Sequence, residues 1–304
     1  QGSGTVAIGY QAGATGQGQN SSAIGYQAGQ FFQGQNSIAM GFQAGMTGQG
    51  LNAVAIGNYA GAMRQTSNAF ALGSQAGQTN QGSGAMGLGV LAGQNNKGEN
   101  AFAAGVNAAQ FNQGTRAMAI GVEAGRYYQG VNAFAAGVSA GFTGQNANAA
   151  AVGFQAGMYS QGTGAFALGY QAGMTGQGFN AVALGYQAGQ STQGNFAIAV
   201  GNLAGVTGQN TNTVAVGFQA GNLNQGTGSI AVGYQAGSIV PSSVSGSTGS
   251  AYLTSGNFPL SLSMYSANTF SSSNTISSIS LPLTGSNTFT LGNTSVVPGM
   301  ITSN

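Results

Sequence analysis

From Gly9 to Gly233 the apolar and polar residues follow one 16-residue pattern without a break. An apolar run such as Ala53-Val54-Ala55-Ile56 or Ala181-Val182-Ala183-Leu184 leads into a glycine. Alternation puts Val54 and Ile56 on one face and Ala55 on the other, the period of a half-buried strand. The glycine recurs at 9, 25, 41 and onward to 233, fifteen copies with no insertion or deletion. Alanine stands two residues before it in every copy but Gly87, and three residues after it from Ala12 to Ala236. The residue that follows this second alanine is glycine in all copies except Ala109. The rest of the unit is polar. Glutamine occupies the eighth position after the glycine (Gln17, Gln33, Gln49 and onward), with Lys97 as the exception. Three residues later stands Asn or Gly, as in Asn20, Asn52, Gly84 and Asn180, with Arg116 and Phe196 departing. Asn and Gly tolerate positive φ, so a corner is predicted there. A second corner is predicted at the paired glycines of GYQAG.

Two short strands, two tight corners and a fixed period describe one coil of a parallel β-solenoid. Glycine is too dense for helix, each interior glycine costing about 1 kcal/mol against alanine. Collagen needs glycine at every third position, which is absent. Stacked at roughly 4.8 Å, each coil pairs its backbone with the coils above and below. The invariant period then holds register, because one inserted residue would turn the wrong side chains inward. Gln over Gln at that spacing can exchange amide hydrogen bonds along the axis. The small alanines of the Ala55 and Ala60 columns allow close backbone approach. We expect at least one of these columns to face another chain.

The chain divides by composition. Residues 1–237 are the repeat, 238–250 a Ser/Gly linker, and 251–304 a β-rich, Ser/Thr/Asn-rich C-terminal region. Strands are predicted at 258–265, 275–283 and 288–291. Exposed loops such as Ser266–Asn274 make this least repetitive part the expected place of specific contact. Gln1 falls part-way through a unit, so a leader or further repeats are expected upstream.

Charge changes the picture by its scarcity. Charged residues make up 2% of 304, against a typical value of about 25%. All six lie between Arg64 and Arg126: Arg64, Lys97, Glu99, Arg116, Glu123 and Arg126. Four scattered cations cannot line a nucleic-acid groove or a polybasic membrane surface, so no nucleic-acid partner is expected. No run of about 20 apolar residues suggests a membrane span. Glu99 and Arg116 stand near one another in adjacent coils and are expected to pair, as a surface pair of about 0–1 kcal/mol.

Catalytic chemistry is poorly supplied. Without His, Cys or Asp, Ser-His-Asp and Cys-His arrangements cannot be built. Glu99 and Glu123 stand one and a half coils apart, on opposite sides, which does not suit a paired-carboxylate glycosidase. No catalytic residue, cofactor or metal ligand is assigned, and the binding residues are left unassigned. GSGAMG (82–87) matches G-x-G-x-x-G, but its glycines fall where the repeat already places or tolerates them. GYQAG matches G-x-x-x-G without the apolar 20-mer of a membrane helix. The aromatics after the glycine (Tyr10, Tyr26, Phe42, Phe154, Tyr170, Tyr186, Phe218, Tyr234) read as a buried or inter-chain packing stripe. A sugar-stacking stripe is the rival reading. Val90, Val106, Val122 and Val138 replace them centrally, which favours packing.

The units SIAMGFQAG, AVAIGNYAG and AVALGYQAG resemble the head (Hep/Hag) repeats of YadA-like trimeric autotransporter adhesins, which also occur in phage and large-virus fibres. The resemblance covers roughly residues 1–237. It implies a left-handed parallel β-roll, three chains side by side, and a role in adhesion. No heptad stalk pattern follows Gly237, which favours a virion fibre or another extracellular filament. The resulting expectation is a non-enzymatic fibre shaft on a cell or virion surface, trimeric, attaching to a host receptor or glycan. The alternatives are a self-polymerising extracellular filament and an ice- or surface-binding solenoid.

Overall fold

The computed structural model describes residues 2–237 and the backbone of Ala251–Tyr252. The rest of the linker and C-terminal region, with the strands and loops expected there, lies outside the described residues. One compact unit runs from Gln1 to Thr254. It is built of three-residue strands, two per coil up to Val214–Val216; the last coil has only Ile230–Val232, and Ala251–Tyr252 has two residues. Among the described residues no helix occurs.

The strands form two parallel sheets. One has 16 strands and collects every Val54–Ile56-type strand in sequence order; the other has 13 and collects every Met63–Gln65-type strand. Register is constant at sixteen residues: Val54 pairs Phe70, Ala55 pairs Ala71 and Ile56 pairs Leu72. The opposite sheet keeps the same step, with Met63 beside Thr79 and Gln65 beside Gln81. The expected solenoid is present, with a strand before every recurring glycine. At its C-terminal edge the step lengthens, because Ala251 pairs Ile230 and Tyr252 pairs Ala231.

Five backbone positions per coil have positive φ. In one coil they are Gly57 at 130°, Tyr59 at 53°, Gly61 at 50°, Arg64 at 55° and Asn68 at 59°. The Asn68 type is the corner expected from sequence, and Arg116 and Phe196 adopt it too, at 57° and 58°. Glycine is demanded most strictly at the Gly57 position. A Cβ there would lie 2.6 Å from the carbonyl oxygen of Gly73 in the next coil. The recurring glycine thus answers both to its own dihedral and to the coil stacked upon it. Ala109 holds the Gly61-type position at φ 45°, a conformation that costs a residue with a Cβ about 1–2 kcal/mol.

The interior is alanine. Ala53, Ala55 and Ala60 are fully buried within a single chain, and so are their counterparts in the coils that follow the first, where Ala7 is exposed. Both the Ala55 and Ala60 columns therefore fill the inside of the coil, and neither is free to meet another chain. This corrects the expectation of an alanine column at an interface. The large apolar residues of the same strands point outward instead, including Leu72, Met118 and Ile120. The strands of the first sheet turn only alanine (and Gly87) inward, and the larger inward side chains come from the glutamine column of the opposite sheet.

Candidate interaction surface and interior ladder

The predicted glutamine column lies inside the coil. Gln65, Gln129, Gln145 and Gln161 are each at most 1% exposed, although the surrounding sequence is polar. Each amide bonds its own coil. Gln65 Nε2 donates to the Val54 carbonyl at 2.8 Å and to the Ala69 carbonyl at 3.2 Å. It also donates to Gln81 Oε1 of the next coil at 3.1 Å. Such links join Gln49 to Gln81, Gln113 to Gln145, and Gln161 to Gln225. A buried amide left without partners would cost about 1–3 kcal/mol. Here the donors are satisfied, and the amide adds a second hydrogen bond to carbonyls such as that of Ala69, which already accepts from the Val54 N–H. Lys97 takes the same place in its coil, 3% exposed, and donates to the Met86 carbonyl. Burial lowers its pKa from 10.5 to about 7.

A second glutamine ladder runs on the outside, at the second position after the glycine. Gln43 donates to Gln27 at 2.6 Å and Gln187 to Gln171 at 2.8 Å. These bonds point toward the N-terminus, opposite to the inner ladder. Exposed asparagines stack likewise, Asn36 to Asn52 at 3.2 Å and Asn52 to Asn68 at 3.1 Å.

The aromatic stripe is exposed in the single chain, with Tyr10 at 62% and Tyr186 at 46%, so it is not a buried core. Its rings stack along the axis. Tyr26 and Phe42 have centroids 5.1 Å apart and planes 6° apart; Tyr170 and Tyr186 are 5.1 Å and 7° apart. Stacked in this way, most ring faces cover one another and the edges face outward. A pyranose needs a free ring face, so the inter-chain packing reading gains and the sugar-stacking reading loses.

The charges are placed differently from expectation in one respect. Glu99 and Arg116 are both exposed at corners and are joined by backbone, Arg116 N–H to the Glu99 carbonyl, at 2.8 Å. Among the described residues the side-chain ion pair is Arg126–Glu123 at 2.6 Å. Arg126 also donates to Gln110 at 2.9 Å and lies over the Tyr127 ring at 5.0 Å. Sequence reasoning missed this pair because it compared adjacent coils. The partner lies three residues back, where the chain folds over its own corner. Glu123 is thus tied to Arg126, while Glu99 sits at another corner. The G-x-G-x-x-G stretch spans the turn between strands Thr79–Gln81 and Met86–Leu88, without the helix a dinucleotide needs.

A model of the YadA head domain repeat matches the chain twice, at residues 1–28 and 177–204. These two segments are similar to YadA head domain repeats. No curated protein matches the chain. The two matched segments lie near opposite ends of a stack whose register never changes. The coils between them keep the same register and strand pairing. In these repeats the alanines and glutamine are the inside, and the residues flanking Ala55 are the outside.

Proposed function

We propose that the solenoid is the non-enzymatic shaft of an attachment fibre displayed on a cell or virion surface, with three chains packed side by side. The observation that carries this reading is the placement of bulk. Ile8, Leu72, Met118, Ile120 and Tyr186 lie outside while alanine fills the core. Monomeric soluble proteins rarely leave long contiguous apolar faces to water. A column of such residues on every coil fits a partner with the same repeat, and the trimer implied by the resemblance to YadA-like repeats is such a partner. Native mass measurement tests it: the full chain should be a trimer. Met118→Asp with Ile120→Asp should lower the mass to one chain while the β-sheet circular dichroism signal is kept. A native monomer, or a trimer indifferent to both substitutions, would overturn the reading.

One observation favours a second reading, a self-polymerising filament. The last coil accepts an additional parallel strand, Ala251–Tyr252, so that sheet edge is competent to pair beyond the repeat. A filament would give masses that grow with concentration rather than stopping at three chains. The specific contact with a receptor, glycan or next subunit is assigned to residues 238–304. Their deletion should leave a folded shaft that no longer attaches.

A further inference from the structure

Two departures from the repeat fall in the same coil. Gly87 is the one member of the Ala55 column without a methyl group, and Lys97 is the one member of the inner glutamine column without an amide. They are in contact through one group, since the carbonyl that accepts from Lys97 Nζ belongs to Met86, the residue before Gly87. A methyl added at Gly87 would come within 2.8 Å of the Ala92 carbonyl, so the backbone has closed into the missing space. A Cβ at Gly93 would lie 2.8 Å from Lys97 Cδ and 3.0 Å from Nζ. The lysine is therefore packed into the interior and does not reach out to water.

Lys97 also interrupts the ladder. It has no oxygen to accept from Gln81, whose amide keeps only the own-coil bonds common to the column, to the Phe70 and Ala85 carbonyls at 2.9 and 3.0 Å. On the other side Gln113 Oε1 is buried without a hydrogen-bond partner. Among the described residues no charged group faces the amine. Strand Thr79–Gln81 offers it Gln81, strand Phe111–Gln113 offers Gln113, and strand Met86–Leu88 offers backbone. Glu99 and Arg116 are exposed at corners, and Glu123 is paired with Arg126.

We propose that the coil holding Lys97 and Gly87 is a proton-operated weak point of the solenoid, closed when the buried amine is neutral and loosened when it is charged. A neutral amine can replace the donor half of a glutamine. An ammonium brings a charge into an interior of alanine and amides with no counter-ion, which is costly. The lowered pKa agrees with this placement. The sign follows from proton counting. Between about 7 and 10.5 the unfolded coil holds a proton on Lys97 that the folded coil lacks, so stability rises with pH across that window. Below about 7 both forms hold it and the slope vanishes.

The experiment measures amide hydrogen-exchange protection in the full chain from about pH 6 to 9, corrected for intrinsic exchange. One proton linked to local opening gives about a tenfold gain per pH unit. Protection around Gln81–Gln113 should gain about that much per unit above pH 7 and level off below it. The coils around Gln193 and Gln209 should show no such slope. Lys97→Met keeps the length and removes the amine, and should flatten the profile. If that variant does not fold, Gly87→Ala with Lys97→Gln restores the repeat's own residues and should be flat as well. The unaltered chain gives an independent reading through its Lys97 side-chain carbon shifts, with a midpoint expected near 7. A midpoint near 10.5, or a slope unchanged by either replacement, would overturn the proposal.

Discussion

At Gly137 a single hydrogen decides whether two coils can stack. Its φ is 128°, and a Cβ would lie 2.4 Å from the Gly153 carbonyl oxygen. Gly137→Ala therefore adds strain and a backbone clash together. We expect a loss above about 2 kcal/mol, against roughly 0.5 kcal/mol or less for an exposed site such as Thr163→Ala; denaturant unfolding measures both. The interior glutamines make the complementary case. Gln145, fully buried, donates to the Phe134 carbonyl at 2.7 Å and the Ala149 carbonyl at 3.2 Å, and accepts from Gln129 at 3.1 Å. Gln145→Ala removes those three bonds and opens a void, for an expected loss of about 2–4 kcal/mol. Gln155 also belongs to a stacked glutamine column, but on the outside, and replacing it should cost far less.

The element that matters is the coil. Ala119 is fully buried in its own chain, so Ala119→Leu should unfold its surroundings, with overpacking of at least 1–3 kcal/mol. It should not produce folded single chains, which is the outcome an interfacial alanine would give. Register makes a sharper test. Removing residues 162–177 joins Gln161 to Gly178 and preserves every column, so the β signal and a cooperative transition should survive. Removing 162–169 shifts the columns by half a coil and should abolish folding of the flanking coils. The coil itself was legible in the sequence, because the Gly9-to-Gly233 spacing and the Asn20-type corner are local demands of the backbone. The side facing inward was not legible. Val54 and Ile56 against Ala55 follow the ordinary alternation of a strand, and ordinary sheet spacing of about 10 Å would bury the larger pair. In a coil of sixteen residues the interior admits alanine, and the polar run of the unit contributes Gln65 to it. Two of the five positive-φ sites, at Tyr59 and Arg64, were missed. The Tyr59 type is mostly glutamine and carries no local mark of a corner, whereas the Arg64 type is Gly or Asn in most coils, as at Gly48, Asn80 and Gly144, a signal the sequence reading did not use.

For the whole molecule, the near absence of charge sets how chains can meet. Association through outward apolar columns is non-directional and almost free of Coulombic terms. Raising salt from roughly 0.05 to 0.5 M shortens the Debye length to a few ångströms. It should leave the assembled mass unchanged or shifted slightly toward assembly, as native mass at both salts will read. The ion pair Arg126–Glu123 is half-exposed and would contribute about 0–1 kcal/mol, too little to alter this. The 16-residue repeat thus sets the register of the described coils and the side they show outward.

The one-to-one stacking of coils, with Gly57 N–H bonded to the Met40 carbonyl at 2.8 Å and its equivalents in every copy, has a mechanical consequence. The bonds between coils lie along the axis, so a load applied to the two ends of one chain meets them one interface at a time. It does not shear them all together. Each coil that peels away releases 16 residues, roughly 50 Å of slack at about 3.4 Å per residue. A single chain stretched by its ends should lengthen in steps of that size at a nearly level force. A chain of this kind yields gradually under a tug, and whatever is held at its end is spared the peak of the load.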